Sequence, residues 1–236
     1  AIEAYKNALE IKPDYAEAQH ILTALKGETP KSAPKEYVEK LFDLYSNRFE
    51  VSLVDILDYQ IPKLIKDILI QENTNGSLGS VLDLGCGTGL LGPYIKDHCS
   101  KLEGIDLSNK MLEIASQKKV YDKLTQSDIV EYLSSMPLDF DYFFALDVFI
   151  YVGELTEIFH LIKSRSKRPG KLVFSTEHTE KDGYHLLKTG RFSHSQSYIL
   201  NLCEQFDYKM SHFSTNKLRK EKGSFLTGGL YVLEFN

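Results

Sequence analysis

Three glycines at alternate positions, Gly85, Gly87 and Gly89, follow the apolar run Val81-Leu82-Asp83-Leu84, and Leu90 comes next. A buried strand that ends this way turns sharply, because glycine takes positive φ without steric cost and lets a ligand approach the backbone. The helix expected after it begins with N–H groups that have no partner inside the helix. Dinucleotide-binding turns share these features, but their GxGxxG fingerprint needs its third glycine where Leu90 stands. Asp83 widens the difference. A carboxylate inside the strand, just before the glycines, repels a pyrophosphate and favours a cation.

Two further acids continue the pattern. Asp106 closes the run Leu102-Glu103-Gly104-Ile105-Asp106-Leu107, 17 residues beyond Gly89, where a carboxylate accepts both hydroxyls of a ribose. Nicotinamide enzymes use the same device, so Asp106 indicates an adenosine ligand without saying which. Asp128, in Ser127-Asp128-Ile129, reads either as the acceptor for the exocyclic amine of an adenine or as a helix cap. Ser108 caps a helix whose Met111 faces an adenine pocket or ordinary core. S-Adenosylmethionine carries an ammonium and a sulfonium and no phosphate, and so suits these acids.

A methyl group on sulfonium is already activated. Its transfer needs a nucleophile held in line, about 3–3.5 Å away, in a dry site. Neither a metal nor a covalent nucleophile is required. A general base serves an oxygen or nitrogen acceptor, and ligands of open α/β sheets lie beyond the carboxyl ends of the strands. That geometry nominates Asp147 and Tyr151 after the fourth strand, Glu177 and His178 after the fifth, and His194 in a loop over 189–195. Tyr37 and Tyr45 fall on a helix placed to cover the cofactor.

The elements that must position these residues form two kinds of pattern. From residue 80, short apolar runs alternate with helical stretches, which indicates a doubly wound α/β fold with helices on both faces of a mostly parallel sheet. Strands are expected at 80–84, 101–106, 124–127, 142–147 and 171–175. Two more, at 208–214 and 229–235, lie too close together for a crossover helix and predict an antiparallel hairpin, making seven strands. Before residue 80 the pattern is helical. Ala1, Tyr5 and Ala8 share a face that stops at Pro13; Asp14 is placed to cap the next helix, with Ala18, Ile21, Leu22 and Leu25 as its stripe. A linker over 27–33 follows, then a helix opened by Pro34 with its cap near Ser32, an apolar stretch over 51–57, a helix opened by Pro62, and a polar loop over 71–79. The chain opens at Ala1 within a helical pattern, from which an upstream portion is expected.

The order of apolar strand, GxGxG turn, acidic strand end and Asp-apolar pair resembles the class I S-adenosylmethionine-dependent methyltransferases, over residues 80–236. Phe140-Asp141-Tyr142-Phe143-Phe144-Ala145-Leu146-Asp147 is similar to that family's fourth strand and Arg168-Pro169-Gly170-Lys171 to its turn before the fifth. The spacing of Ala1, Tyr5, Ala8 and Pro13 resembles a tetratricopeptide repeat, although Thr23 stands where such repeats carry glycine. With Gly190-Arg191-Phe192-Ser193-His194 in the tail, the whole chain resembles the predicted methyltransferases that carry N-terminal repeats of this kind. The resemblance implies three segments: a repeat-like remnant over 1–30, a helical lead-in over 31–75 and a cofactor-binding domain over 76–236. It implies that Asp83, Gly85, Gly87 and Gly89 hold the methionine part, Asp106 with Leu107 the ribose, and Asp128, Ile129 and Met111 the adenine. Tyr45 covers the site and Asp147 borders the methyl group. The acceptor is not implied; a peptide or protein partner on the repeat-like helices is. Two rivals stand beside this reading: a silent, repeat-linked binding module, and a nicotinamide-dependent dehydrogenase, against which Leu90 and Asp83 count.

Composition narrows the classes further. A net charge of -5 and a pI near 5.8 oppose broad nucleic-acid binding. The basic cluster Lys163, Arg165, Lys167, Arg168 and Lys171 reads as a solvated helix end. No apolar run of the roughly 20 residues that span a bilayer occurs. Cys86, Cys99 and Cys203 form no CxxC pair, so a cytoplasmic protein with reduced thiols and no zinc site is expected.

Overall fold

A computed structural model describes residues 1–72, 76–221 and 223–236. The centre of the polar loop expected over 71–79, and with it the boundary expected at residue 75, lies outside the described residues. In chain order the elements are α1 (Ile2–Ile11), α2 (Ala16–Lys26), α3 (Lys35–Tyr45), a 3-10 turn (Ser46–Arg48), a π-helical stretch (Val51–Ile56) and α4 (Ile61–Glu72). There follow β1 (Gly79–Leu84), α5 (Gly92–Ile95), β2 (Cys99–Asp106), α6 (Asn109–Gln117), β3 (Lys123–Gln126), α7 (Ile129–Ser135), β4 (Tyr142–Ala145) and α8 (Thr156–Arg165). The chain ends with β5 (Gly170–His178), β6 (Tyr184–Leu186), β7 (Phe192–His194), α9 (Gln196–Phe206), β8 (Lys209–Glu221) and β9 (Ser224–Phe235).

Five strands run parallel in the order β3-β2-β1-β4-β5. β9 joins β5 antiparallel from Gly170 to Glu177, and β8 pairs antiparallel with β9. The expected hairpin is present, but both strands reach further toward the turn: β8 runs on to Glu221 and β9 starts at Ser224, where 208–214 and 229–235 were expected. The sheet also has two short strands that composition did not reveal. β7 pairs with only the last two residues of β5, Glu177 and His178, and β6 folds back on β7. His194 therefore stands in a strand, not in the loop expected over 189–195.

The strands alternate faces, and both faces are buried. Leu82, Leu84, Phe143, Ala145, Leu172 and Phe174 pack with α7, α8 and α9 on one side. Val81, Tyr142, Phe144 and Val173 pack with Ile61, Ile65 and Leu69 of α4 on the other. Burial at roughly 25 cal/mol per Å² makes these two apolar layers the main stabilising term. The N-terminal helices attach at one end. Ala24 and Ala33 pack with Leu186 and Phe192, and His20 of α2, buried, hydrogen-bonds through Nε2 to the Gly190 carbonyl at 2.8 Å.

Several local expectations need correction. The cap of α2 is Tyr15 rather than Asp14, and α3 is preceded by Pro34, whose fixed φ near -59° starts the helix without a side-chain cap from Ser32. The helix after the glycines, α5, is a single turn. The basic cluster is held by neighbouring acids and carbonyls: Lys163 by Asp207, Arg165 by the Leu133 carbonyl, Arg168 by Asp139 and Lys171 by Glu234.

Candidate functional site

The strand ends of β1 to β4 open into one cavity of about 650 Å³, roofed by α3 and the turns that follow it. Asp83, Gly85, Gly87, Asp106, Leu107, Asp128 and Ile129 line it on the sheet side. Phe42, Tyr45 and Phe49 line it from the roof, and Asp147, Tyr151, Arg191 and Arg219 close the far end.

The glycine turn divides its labour. All three glycines have positive φ, 68°, 55° and 78° for Gly85, Gly87 and Gly89. A Cβ on Gly85 would stand 2.6 Å from a methyl of Val148, so that position must stay bare for the β4 end to pack. At Gly87 a Cβ would meet nothing nearer than Phe49 at 3.9 Å, so its backbone faces open cavity. Gly89 does not line the cavity. It packs against Tyr121 and Ala115 instead, and its expected contact with the ligand is corrected to a packing role. Met111 is likewise core: its side chain is fully buried and does not border the cavity.

The carboxylates at this end are held in a distinctive state. Asp83 is 3% exposed and accepts a hydrogen bond from the Tyr121 hydroxyl at 2.7 Å. Burial pushes its pKa up to about 7, Tyr121 opposes this, and the nearby Asp106 adds to it. Asp106 accepts from the Gly87 N–H at 2.9 Å and the Ser108 N–H at 2.8 Å. Enclosure still raises it to about 6, against those bonds. Among the described residues neither acid faces a paired cation, so each gains by meeting one, or by meeting hydroxyl donors. Of the two roles that the sequence offered for Asp128, the structure shows the helix cap, and it leaves the residue on the cavity wall. It caps α7, accepting from the Glu131 N–H at 3.1 Å, and it lines the cavity.

The roof is tied down at three points along this end. Lys35 of α3 pairs with Asp128 at 2.9 Å, Ser108 donates to Asp43 at 2.5 Å, and Lys118 pairs with Glu50. Tyr45 lines the cavity and donates to Ser52. On the opposite side the Ala33 N–H bonds to the Tyr151 carbonyl at 3.0 Å, and the Lys220 N–H to the Leu57 carbonyl at 2.7 Å.

At the far end Asp147 takes a left-handed φ of 58°, uncommon for a residue with a side chain, while its N–H donates to Ser175 Oγ at 2.8 Å. Strained backbone of this kind clusters at functional sites. Arg219 Nη1 meets Asp147 at 2.5 Å and its Nη2 bonds Glu177. Arg191 meets Glu177 and Glu221, each at 2.5 Å. Burial raises the pKa of Glu177 and the two arginines pull it back; burial also lifts Tyr151 well above the usual tyrosine range. Glu177 stands behind the arginines and does not border the cavity.

The two histidines nominated as catalytic are elsewhere. His194 is completely buried, bonds to the Gly153 carbonyl at 2.9 Å and has its pKa pulled down to about 4 by desolvation. A neutral ring sealed off from the cavity has no access to a reacting group, so His194 is corrected to a structural residue. His178 pairs with Glu180 at 3.1 Å and also lies off the cavity wall. The residues that sequence reasoning missed are Lys35, Tyr59, Thr189 and above all Arg219, which lies in the stretch expected to be the turn of the terminal hairpin. Among the described residues no group of three or more His, Cys, Asp or Glu side chains is placed to hold a metal ion, and no helix is long and apolar enough to cross a membrane.

Comparison with known proteins gives the same picture at the level of the domain. Residues 81–170 match the model of a methyltransferase domain family. The ubiquinone biosynthesis O-methyltransferase of Pseudomonas syringae pv. tomato is 26% identical over 151 residues, 61% of this chain and 62% of that protein. Its counterpart in Proteus mirabilis is 24% identical over 149 residues, 61% and 59% of the two chains. The chain thus spans about three fifths of the length of these relatives. Among solved structures, magnesium protoporphyrin IX methyltransferase from Synechocystis with bound S-adenosylhomocysteine superposes with a TM-score of 0.66 at 16% identity, covering 86% of this chain and 99% of that one. The N-methyltransferase NodS from Bradyrhizobium japonicum, in complex with S-adenosyl-L-homocysteine, gives 0.58 at 16% identity, covering 73% and 86%. The mostly parallel sheet is a methyltransferase-like fold, and the domain is of the kind that uses S-adenosylmethionine.

Proposed function

We propose that this chain transfers the methyl group of S-adenosylmethionine to a small, largely apolar acceptor bound beside Asp147. The observation that carries the proposal is the row of carboxylates Asp83, Asp106 and Asp128, at consecutive strand ends and on one cavity wall. In this reading Asp83 receives the ammonium of the cofactor. Asp106 still has lone pairs beyond those given to Gly87 and Ser108, and these receive the ribose hydroxyls. Asp128 takes the adenine amine, with Leu107 and Ile129 flanking the ring. The bare backbone at Gly85 and Gly87 admits the methionine part, and Tyr45 closes over it. When bound, the cofactor supplies an activated methyl group. The chain's own work is to exclude water with the α3 roof and to aim the nucleophile.

At the acceptor end, Asp147 Oδ1 is engaged by Arg219, which leaves Oδ2 to accept a hydrogen bond from an acceptor O–H. Tyr151 and Thr189 complete that wall. The relatives named O-methyltransferases favour oxygen as the atom methylated, and the apolar surfaces of Phe42, Phe49, Leu53 and Ile150 favour an apolar body. A peptide partner for α1 remains part of the proposal: that helix has no buried residue, and Ile11 is 88% exposed. The cytoplasm, where Cys86, Cys99 and Cys203 stay reduced, is the fitting compartment.

The test is methyl transfer from radiolabelled S-adenosylmethionine to a panel of hydroxyl-bearing small molecules. Incorporation that falls by about 10²-fold or more in Asp147→Asn supports Asp147 as the group that receives or orients the proton. Incorporation unchanged in that variant removes Asp147 from the chemistry.

A further inference from the structure

Among the described residues three cations line the cavity: Lys35, Arg191 and Arg219. They occupy different places along the row of strand ends. Lys35 sits on Asp128, past β3 at one edge of the sheet. Arg191 stands just before β7 and is shared between Glu177 at the β5 end and Glu221. Only Arg219 reaches the β4 end, through Asp147. β4 is the direct parallel neighbour of β1, with Asp83 opposite Phe144, three residues before Asp147. Of these three cations, Arg219 is therefore the one held at the end of a strand that adjoins the strand of Asp83.

Arg219 arrives there through an irregularity in its strand. β8 pairs Lys217 with Thr227 and Lys220 with Phe225, so Leu218 and Arg219 together oppose the single residue Leu226. Such a bulge bends the strand and re-aims a side chain, often next to an active site. Leu218 packs with Leu53 and Tyr59, while Arg219, 5% exposed, turns to Asp147 and Glu177. Opposite, Gly228 leaves the space open: a Cβ there would come within 3.0 Å of Leu218 Cβ. The phenol of Tyr59, which also lines the cavity, is raised first by burial and also feels Asp147, Arg219 and Asp83.

The amino-acid end of S-adenosylmethionine carries a carboxylate as well as an ammonium. We propose that Arg219 binds that carboxylate, its guanidinium held in place by Asp147 and Glu177. The inference rests on the methyltransferase reading. A guanidinium offers five N–H donors in a planar fork, and the two carboxylates engage two of its nitrogens, so donors remain for a third oxyanion. Arg219 is then a cofactor-binding residue that lies outside every glycine and acidic motif of the sequence.

Calorimetric titration at pH 8 with S-adenosylmethionine and with its decarboxylated analogue, which lacks only this carboxylate, tests the assignment. The chain is expected to bind the parent compound about tenfold or more tightly than the analogue. In Arg219→Gln the ratio falls toward one, while 5′-methylthioadenosine, which lacks the whole amino-acid end, binds as it does to the unaltered chain. If Arg219→Gln does not fold, Arg219→Lys, which keeps the charge without the fork, is read by the same ratio and is expected to reduce it several-fold. A ratio near one in the unaltered chain overturns the proposal. So does a full ratio in the Arg219 variant, above all if Arg191→Gln abolishes it. Failure of the methyltransferase reading looks different: none of the three adenosyl compounds then binds the unaltered chain.

Discussion

At the Asp83–Asp106 end of the cavity, carboxylates are enclosed with hydroxyl and backbone donors but, among the described residues, without a paired cation; at the Asp147 end they are tied to Arg219 and Arg191. The first end leaves its acids pushed up to about 7 and about 6, a state that a cationic ligand relieves. At the second end each acid is already paired with an arginine and held rigid, and the work of this end is to orient the acceptor and, through Arg219, the carboxylate of the cofactor. One cavity thus keeps electrostatic demand where the cationic groups of the cofactor fit and satisfies it where an acceptor must be aimed.

The two ends should respond differently to mutation. The largest effect belongs to the arginine-paired end. Arg219→Gln leaves Asp147 and Glu177 facing each other without their shared cation, and urea unfolding should show a loss of about 3 kcal/mol or more. A loss under about 0.5 kcal/mol, the size of a surface substitution, would mean that the network is not coupled.

At the demanding end the sign reverses. Asp83→Asn should weaken S-adenosylmethionine binding by roughly 10- to 100-fold, the value of a charge-assisted bond to an ammonium. It should at the same time stabilise the unliganded chain at pH 8. The sign follows from linkage: a folded pKa of about 7 lies above the ordinary value, so the folded chain holds this proton more tightly than the unfolded one. That contribution is full at acidic pH and is lost as pH rises toward and through 7, so removing the buried charge helps most above that range. Thermal melting at pH 8 that shows the variant less stable would break this half of the comparison.

Asp106→Ala is expected to cost 1 kcal/mol or more of cofactor affinity, on the order of one lost charge-assisted hydrogen bond. The smallest effect is graded rather than all-or-none. Affinity for S-adenosylmethionine should rise between pH 5 and pH 8 as the groups at about 6 and about 7 ionise, and Asp83→Asn should remove the upper part of that rise. A flat pH profile in the unaltered chain would show that neither acid meets the ligand.

The same division explains what could be read from the sequence. Asp83, Gly85, Gly87, Asp106 and Asp128 belong to short motifs that sit at strand ends, so local spacing fixes their place in the sheet before any tertiary structure is known. Asp147 and Tyr151 were legible for the same reason. Arg219 was not, because a bulge in β8 aims it, and no local propensity signals which residue a bulge inserts. Lys35 and Tyr59 depend on where the roof docks. His194 misled because β7 pairs with only two residues of β5, too short a strand to leave a periodic trace. Met111 and Gly89 carried spacing that suits ligand contact and core packing equally, and burial decided for packing.

The most direct test of the central claim is calorimetric titration of the chain with S-adenosylmethionine, S-adenosylhomocysteine and NAD. The account predicts binding of the first two in the micromolar range, about -8 kcal/mol, and none of NAD. Binding of NAD alone, or of none of the three, would contradict it.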